Sequence, residues 1–93
     1  MITLPRDDLE KQEILQKIAK KFEKDKEYSE SEVNEIIKSF DVDDYTLIRR
    51  ELVNFGYFGK DSYRSVYWIK KFELSKEEKE KIKANQGKIK EFS

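Results

Sequence analysis

At Gly56 the apolar residues change their period, and this break restricts the fold more than any other feature of the chain. Before it, apolar residues recur every three or four positions; after it, YFGK (57–60) and YRSVYWI (63–69) are short, aromatic and β-branched. A chain written in that order places amphipathic helices first and a β-hairpin directly behind the last of them, with Lys60 to Ser62 as the turn. On the second strand, Tyr63, Ser65, Tyr67 and Ile69 share one face and Arg64, Val66 and Trp68 the other.

Three helices precede the break. From Asp7 to Phe22 the residues Leu9, Ile14, Leu15, Ile18, Ala19 and Phe22 recur at helical spacing, with Pro5 just upstream and Asp7 or Asp8 suited to the positive end of the helix dipole. The stretch YSESEV (28–33) starts a second helix: Ser29 and Glu32 have the spacing of a capping box, and Tyr28 and Val33 that of a hydrophobic staple. Val33, Ile36, Ile37 and Phe40 form its stripe, so it runs to about Ser39. After the turn DVDD (41–44), a third helix spans about Asp44 to Phe55, with Tyr45, Ile48, Leu52 and Phe55 as its core face and Gly56 as its stop.

Beyond Phe72 the chain is almost all charge, with eight Lys and five Glu between Lys70 and Glu91. Ser75 suits a cap, and the pattern predicts a solvated helix to about Asn85 and a frayed end, with Leu74, Ile82, Ile89 and Phe92 as its apolar residues. Glu and Lys at spacing four, such as Glu77 and Lys81, fit an exposed helix; an arm along a phosphate backbone or an antiparallel partner helix is the other use of such a segment.

A chain of 93 residues holds one small core, so the three stripes must meet in it and the hairpin must cover its open end. The expectation is a mainly α fold with a small hairpin (α+β): a winged helix-turn-helix over 1–72, with a charged helical tail over 73–93. The absence of His and Cys removes the usual neutral-pH base, the thiolate nucleophile and the soft metal ligands, so neither an enzyme nor a cofactor is expected. Asp41, Asp43 and Asp44 lack the glycine and final glutamate of a calcium loop, so no metal is expected either. No run approaches the roughly 18 apolar residues of a membrane span, and MITLPRDDLEKQ has no leader-like apolar region; a cytoplasmic location is expected.

The pair LP at 4 and 5, IAKKF (18–22), YSESEVNEII (28–37), DDYTLIRRELVNFGYF (43–58) and the closing YW (67–68) resemble an uncharacterised prokaryotic domain family of unknown function. The resemblance covers Leu4 to Trp68 and is most specific over Tyr28 to Ile37 and Asp44 to Gly56. That family occurs alone and within bacterial transcriptional regulators and is taken to be winged-helix-like, which implies the same fold and a regulatory context. Where the family often has a Gly-rich hairpin tip this chain has KDSYRS, and the tail after Phe72 lies outside the match.

Two functions follow as candidates. On the third helix Arg49 and Arg50 stand about 100° and 200° around from Ile48, so that Thr46, Leu47, Arg50 and Asn54 face broadly outward. In a winged helix that face enters the major groove of duplex DNA, where Arg holds guanine and Asn adenine, while Lys60 and Arg64 grip adjoining phosphates. The nucleic-acid candidates are therefore Thr46, Arg49, Arg50, Asn54, Lys60 and Arg64, for a role in transcriptional regulation. Against them, residues 41–69 carry four basic and five acidic side chains, with Asp41, Asp43 and Asp44 at the leading end of the helix. Arg49 has a second role open to it, an ion pair with Asp44, Glu51 or acids of the second helix. The other function is a protein-interaction or dimerisation module: the hairpin is too rich in aromatics for one small core, and Tyr57, Tyr63 and Trp68 are its interface candidates.

Overall fold

Tyr28 and Ser29 form a two-residue strand, and Ser29 at once caps the helix that follows. Its Oγ accepts the Glu32 N–H at 3.1 Å while the Glu32 carboxylate accepts the Ser29 N–H at 3.1 Å, the reciprocal bonding that the spacing predicts. The computed structural model describes the backbone of residues 1–92 and the side chains of residues 1–85. Its elements run α1 (Asp8–Ala19), β1 (Tyr28–Ser29), α2 (Glu30–Lys38), α3 (Tyr45–Asn54), β2 (Phe58–Asp61), β3 (Val66–Ile69) and α4 (Lys76–Phe92). The result is a small α+β domain with an antiparallel sheet in the order β1-β3-β2, in which Tyr28 lies opposite Tyr67 and Phe58 opposite Ile69.

The three stripes meet as expected. Leu15, Ile18 and Ala19 of α1, Val33 and Ile37 of α2, and Ile48 and Leu52 of α3 are fully buried. Phe22, Tyr28, Phe58 and Tyr67 close the core beneath the sheet, and Phe22 meets Tyr28 and Phe58 edge to face at centroid distances of 5.1 and 4.7 Å. Such ring pairs add about 0.5–1.5 kcal/mol each beyond the area they bury.

α1 stops at Ala19 rather than Phe22. The N–H groups of Lys21 and Phe22 bond the carbonyls of Ile18 and Ala19, three residues back, and this tightened turn carries Phe22 under the sheet. α3 ends in a Schellman motif: Tyr57 N–H bonds Leu52 O at 2.9 Å and Gly56 N–H bonds Val53 O at 3.0 Å, with Gly56 at φ 80°. The reversal of the hairpin lies over 62–65, later than expected, so Tyr63 and Ser65 are turn residues and not members of a strand face. Asp61 Oδ1 causes this by accepting the N–H groups of Tyr63 and Arg64 at 3.0 and 3.2 Å, and Ser65 completes the turn at φ 56°.

β1 has no counterpart in the sequence reading, because two residues are too few to show a period; β3 supplies its pairing. α4 starts at the expected Ser75 cap but departs from expectation in its packing and its length. Ser75 and Glu78 form a second capping box, with bonds of 3.1 and 3.0 Å, and Lys71 Nζ bonds the other Glu78 oxygen. Leu74 is buried, Ile82 packs against the core and α4 lies against α1, so a boundary after Phe72 cuts through packed structure. The helical backbone continues past Asn85 to Phe92, since Lys, Glu, Ala and Gln are strong helix formers and Gly87 costs only about 1 kcal/mol relative to Ala. The side chains of Ile89 and Phe92 lie outside the described residues. Among the described residues no helix is long and apolar enough to cross a membrane.

Gly59 sits opposite Trp68, and a side chain there would overlap the indole. The ring therefore occupies the space that a side chain at 59 would need. Gly59→Ala is expected to lower stability by about 1–3 kcal/mol in chemical denaturation. The loss should largely vanish in a Trp68→Ala background; an equal loss in both backgrounds would mean that the ring is not the cause.

Candidate functional site

The capped turn before α3 and the Schellman motif after it decide which of its side chains reach solvent. Taking Arg50 as reference, Thr46 and Asn54 stand about 40° to either side and Leu47 about 60° away, while Ile48 and Leu52 lie about 160° round. Thr46, Leu47, Arg50 and Asn54 are accordingly exposed, and Ile48 and Leu52 are in the core.

Arg49 points to the flank. It is half-buried against α2, where Nη1 donates to Asn34 Oδ1 at 2.5 Å and Nη2 lies 3.4 Å from Glu30 Oε1. Those two acceptors, one turn apart on α2, bind the helix pair together. Arg50, one residue on, makes no ion pair among the described residues.

Between α3 and the hairpin lies a cleft of about 160 Å³ lined by Arg49, Arg50, Val53 and Asn54 of α3, Lys60 of β2 and Tyr67 of β3. Four of the six nucleic-acid candidates thus come together. Lys60 Nζ is 5.5 Å from the centre of the Tyr67 ring and also makes no ion pair among the described residues. Tyr67 Oη donates to Glu30 Oε1 at 3.3 Å, which sets one carboxylate at the border of the cleft. Asn54 Nδ2 donates to Glu51 Oε1 at 2.9 Å, and Glu51 Oε2 in turn holds Lys11 Nζ of α1 at 2.7 Å. Burial alone lowers the pKa of Lys11, but its bonds to Glu51 and Asp8 outweigh burial and leave it raised.

Thr46 shares the exposed face but does not line the cleft, and neither does Arg64. The Arg64 guanidinium sits at the hairpin turn and bonds Glu27 Oε1 at 2.7 Å. The three acids ahead of α3 have separate partners. Asp44 Oδ1 caps the helix by accepting the Leu47 N–H at 3.0 Å, Asp43 Oδ2 accepts the Thr3 hydroxyl at 2.8 Å, and Asp41 lies 3.7 Å from the amino terminus. Among the described residues no three His, Cys, Asp or Glu side chains gather as metal ligands.

The pairing of Arg49 with an acid of the second helix was among the expectations, with Glu30 not singled out, whereas Asn34, Val53 and Tyr67 were missed as members or neighbours of this site. Glu30 and Asn34 are spaced four apart on the polar side of α2, which is the one signal that could have marked them as facing α3.

Residues 1–69, from the first residue to the end of β3, match the family described as uncharacterised protein conserved in bacteria, DUF2087. The chain belongs to that family. No curated protein and no solved structure matches it at a significant level. The DUF2087 match takes in every residue of the cleft and leaves out α4.

The three aromatics proposed for a partner interface are placed differently from one another. Tyr57, in the DUF2087 segment, is 0% exposed, which overturns its role at an interface. Its position as the second residue beyond the α3 cap turns it inward, where Oη donates to Gln12 Oε1 at 2.7 Å, and Gln12 Nε2 donates to Asp8 O at 2.7 Å. Trp68 is half-buried over Gly59. Tyr63 is 98% exposed at the turn.

Tyr57→Phe leaves the buried Gln12 oxygen without its donor and is expected to cost about 1–3 kcal/mol, whereas Tyr63→Ser should stay within about 0.5 kcal/mol of the parent in urea unfolding. Burial pushes the Tyr57 hydroxyl from 10.0 up to about 12. The fold therefore favours the neutral phenol: this contribution is complete below about pH 10 and is lost as pH rises through about 12. Tyr57→Phe should remove that part of the alkaline decline.

Proposed function

We propose that this chain is a winged-helix domain that binds duplex DNA and serves transcriptional regulation. A helix pair whose second member is followed by a hairpin packed beside it is the arrangement of a winged helix, and the order α2, α3, β2, β3 supports that reading. The observation that carries the function is that Arg50 and Lys60, neither held in an ion pair among the described residues, border one cleft together with the exposed Asn54. Arg50 and Asn54 have the donor geometry for base edges, and Lys60 has a point charge for a phosphate. Arg49 positions α3 from behind through Glu30 and Asn34, and Arg64 is engaged by Glu27. The acids ahead of α3 are taken up in capping and in the N-terminal segment, so the wrong-sign charge there is partly offset by the helix dipole.

The test is fluorescence anisotropy of a labelled mixed-sequence duplex at increasing salt. Binding should weaken steadily with salt; Lys60→Ala should reduce the slope of log K against log salt by about 1, whereas Arg50→Ala should cost about 1–3 kcal/mol on a preferred duplex and relax the choice of base at one position. Absence of salt-dependent binding at low ionic strength would overturn the proposal.

A second reading, a docking module for a protein or a second copy of the chain, is supported by the fully solvated Tyr63 at the hairpin turn and the half-exposed Trp68 of β3. It expects a sedimentation mass that rises with concentration and returns to the monomer value in Tyr63→Ser; a constant monomer mass would count against self-association.

A further inference from the structure

Leu47 is an apolar side chain on a face that has no core to cover. It is 38% exposed, its only companions as exposed large hydrophobic residues among the described residues are Met1 and Tyr63, and it is absent from the residues that pack around the core. On α3 it stands about 60° from Arg50 and about 20° from Asn54, on the side of that row away from Arg49. Its position is rigid: its own N–H is held by the Asp44 cap at 3.0 Å, in the first turn of α3. A leucine so placed leaves more than a third of its surface to solvent on the same outward face as Arg50 and Asn54.

Resting on the DNA-binding reading of this face, we infer that Leu47 is a specificity-determining residue that reads a thymine in the major groove. The exposed row then contains three chemistries: a guanidinium, a carboxamide and an isobutyl group. The first two match polar base edges. The apolar feature that distinguishes a base in the major groove is the C5-methyl of thymine, and it is the feature that an isobutyl group can recognise. Leu47 covers that methyl as Arg50 and Asn54 engage the neighbouring base edges, which favours a site with a thymine at one fixed position beside them.

The experiment first enriches a preferred duplex from a randomised library with the full chain, then replaces each thymine of that duplex with uracil in turn. Uracil keeps the Watson–Crick edge and removes only the methyl. At one position the replacement should weaken binding about three- to fivefold, the value of one buried methyl group. Leu47→Ala should bind the thymine duplex about three- to fivefold more weakly or worse and should no longer distinguish thymine from uracil there. Since Ala is the better helix former and the site is exposed, the variant is expected to fold, and its circular dichroism and unfolding midpoint verify this. If salt-dependent binding persists while no position responds to uracil, or while Leu47→Ala keeps the response, the inference about Leu47 is overturned and the DNA-binding reading stands. If the full chain shows no salt-dependent binding to duplexes, both fall.

Discussion

Tyr57 and the turn that delivers it connect all the parts of this molecule. Its N–H bonds back to Leu52 of α3, its hydroxyl reaches Gln12 of α1, and its carbonyl accepts the Lys70 N–H at the far end of the hairpin. One buried residue thus joins α1, the end of α3 and both ends of the hairpin. The conformation depends on Gly56, whose positive φ lets the chain leave the helix in the only direction that turns the next side chain inward. The angle between α3 and the hairpin follows from that turn, and the cleft between them follows from the angle.

The charges divide into two populations with different work. Most acids near the site are consumed by the fold: Asp44 caps α3, Glu32 closes the box on α2, Glu30 and Glu51 hold Arg49 and Lys11, and Glu27 holds Arg64. Of these, the Lys11–Glu51 pair is the most enclosed, with side chains 15% and 12% exposed, and it ties α1 to α3. Arg50 and Lys60 are left to solvent on opposite sides of the cleft. A chain with no net charge thus gathers Arg49, Arg50 and Lys60 around one cleft, and the carboxylates nearest it are engaged in caps and ion pairs while Arg50 and Lys60 are in no ion pair among the described residues.

The second capping box alters the status of the C-terminal segment. Ser75 and Glu78 start α4 close behind the hairpin, Leu74 enters the core and Ile82 covers it, while the family match ends before either, at residue 69. The first turns of α4 thus add to the core of this chain from beyond the matched segment.

Local order was legible wherever a few adjacent residues decide it. SESE shows its capping box because both bonds close within four residues, the α3 stripe shows its period, and Gly56 shows its stop. The outward face of α3 followed from the same period, so Thr46, Arg50 and Asn54 could be placed in solvent by counting. What the sequence could not reveal depends on partners distant along the chain. β1 exists only because β3 pairs with it. Tyr57 differs from Tyr63 in burial because one follows a Schellman turn and the other sits within an Asx turn, although both are tyrosines flanking one short strand. Arg49 and Arg50 are adjacent and identical in type; only the packing of α2, which brings Glu30 and Asn34 to one and nothing to the other, separates a structural arginine from an available one.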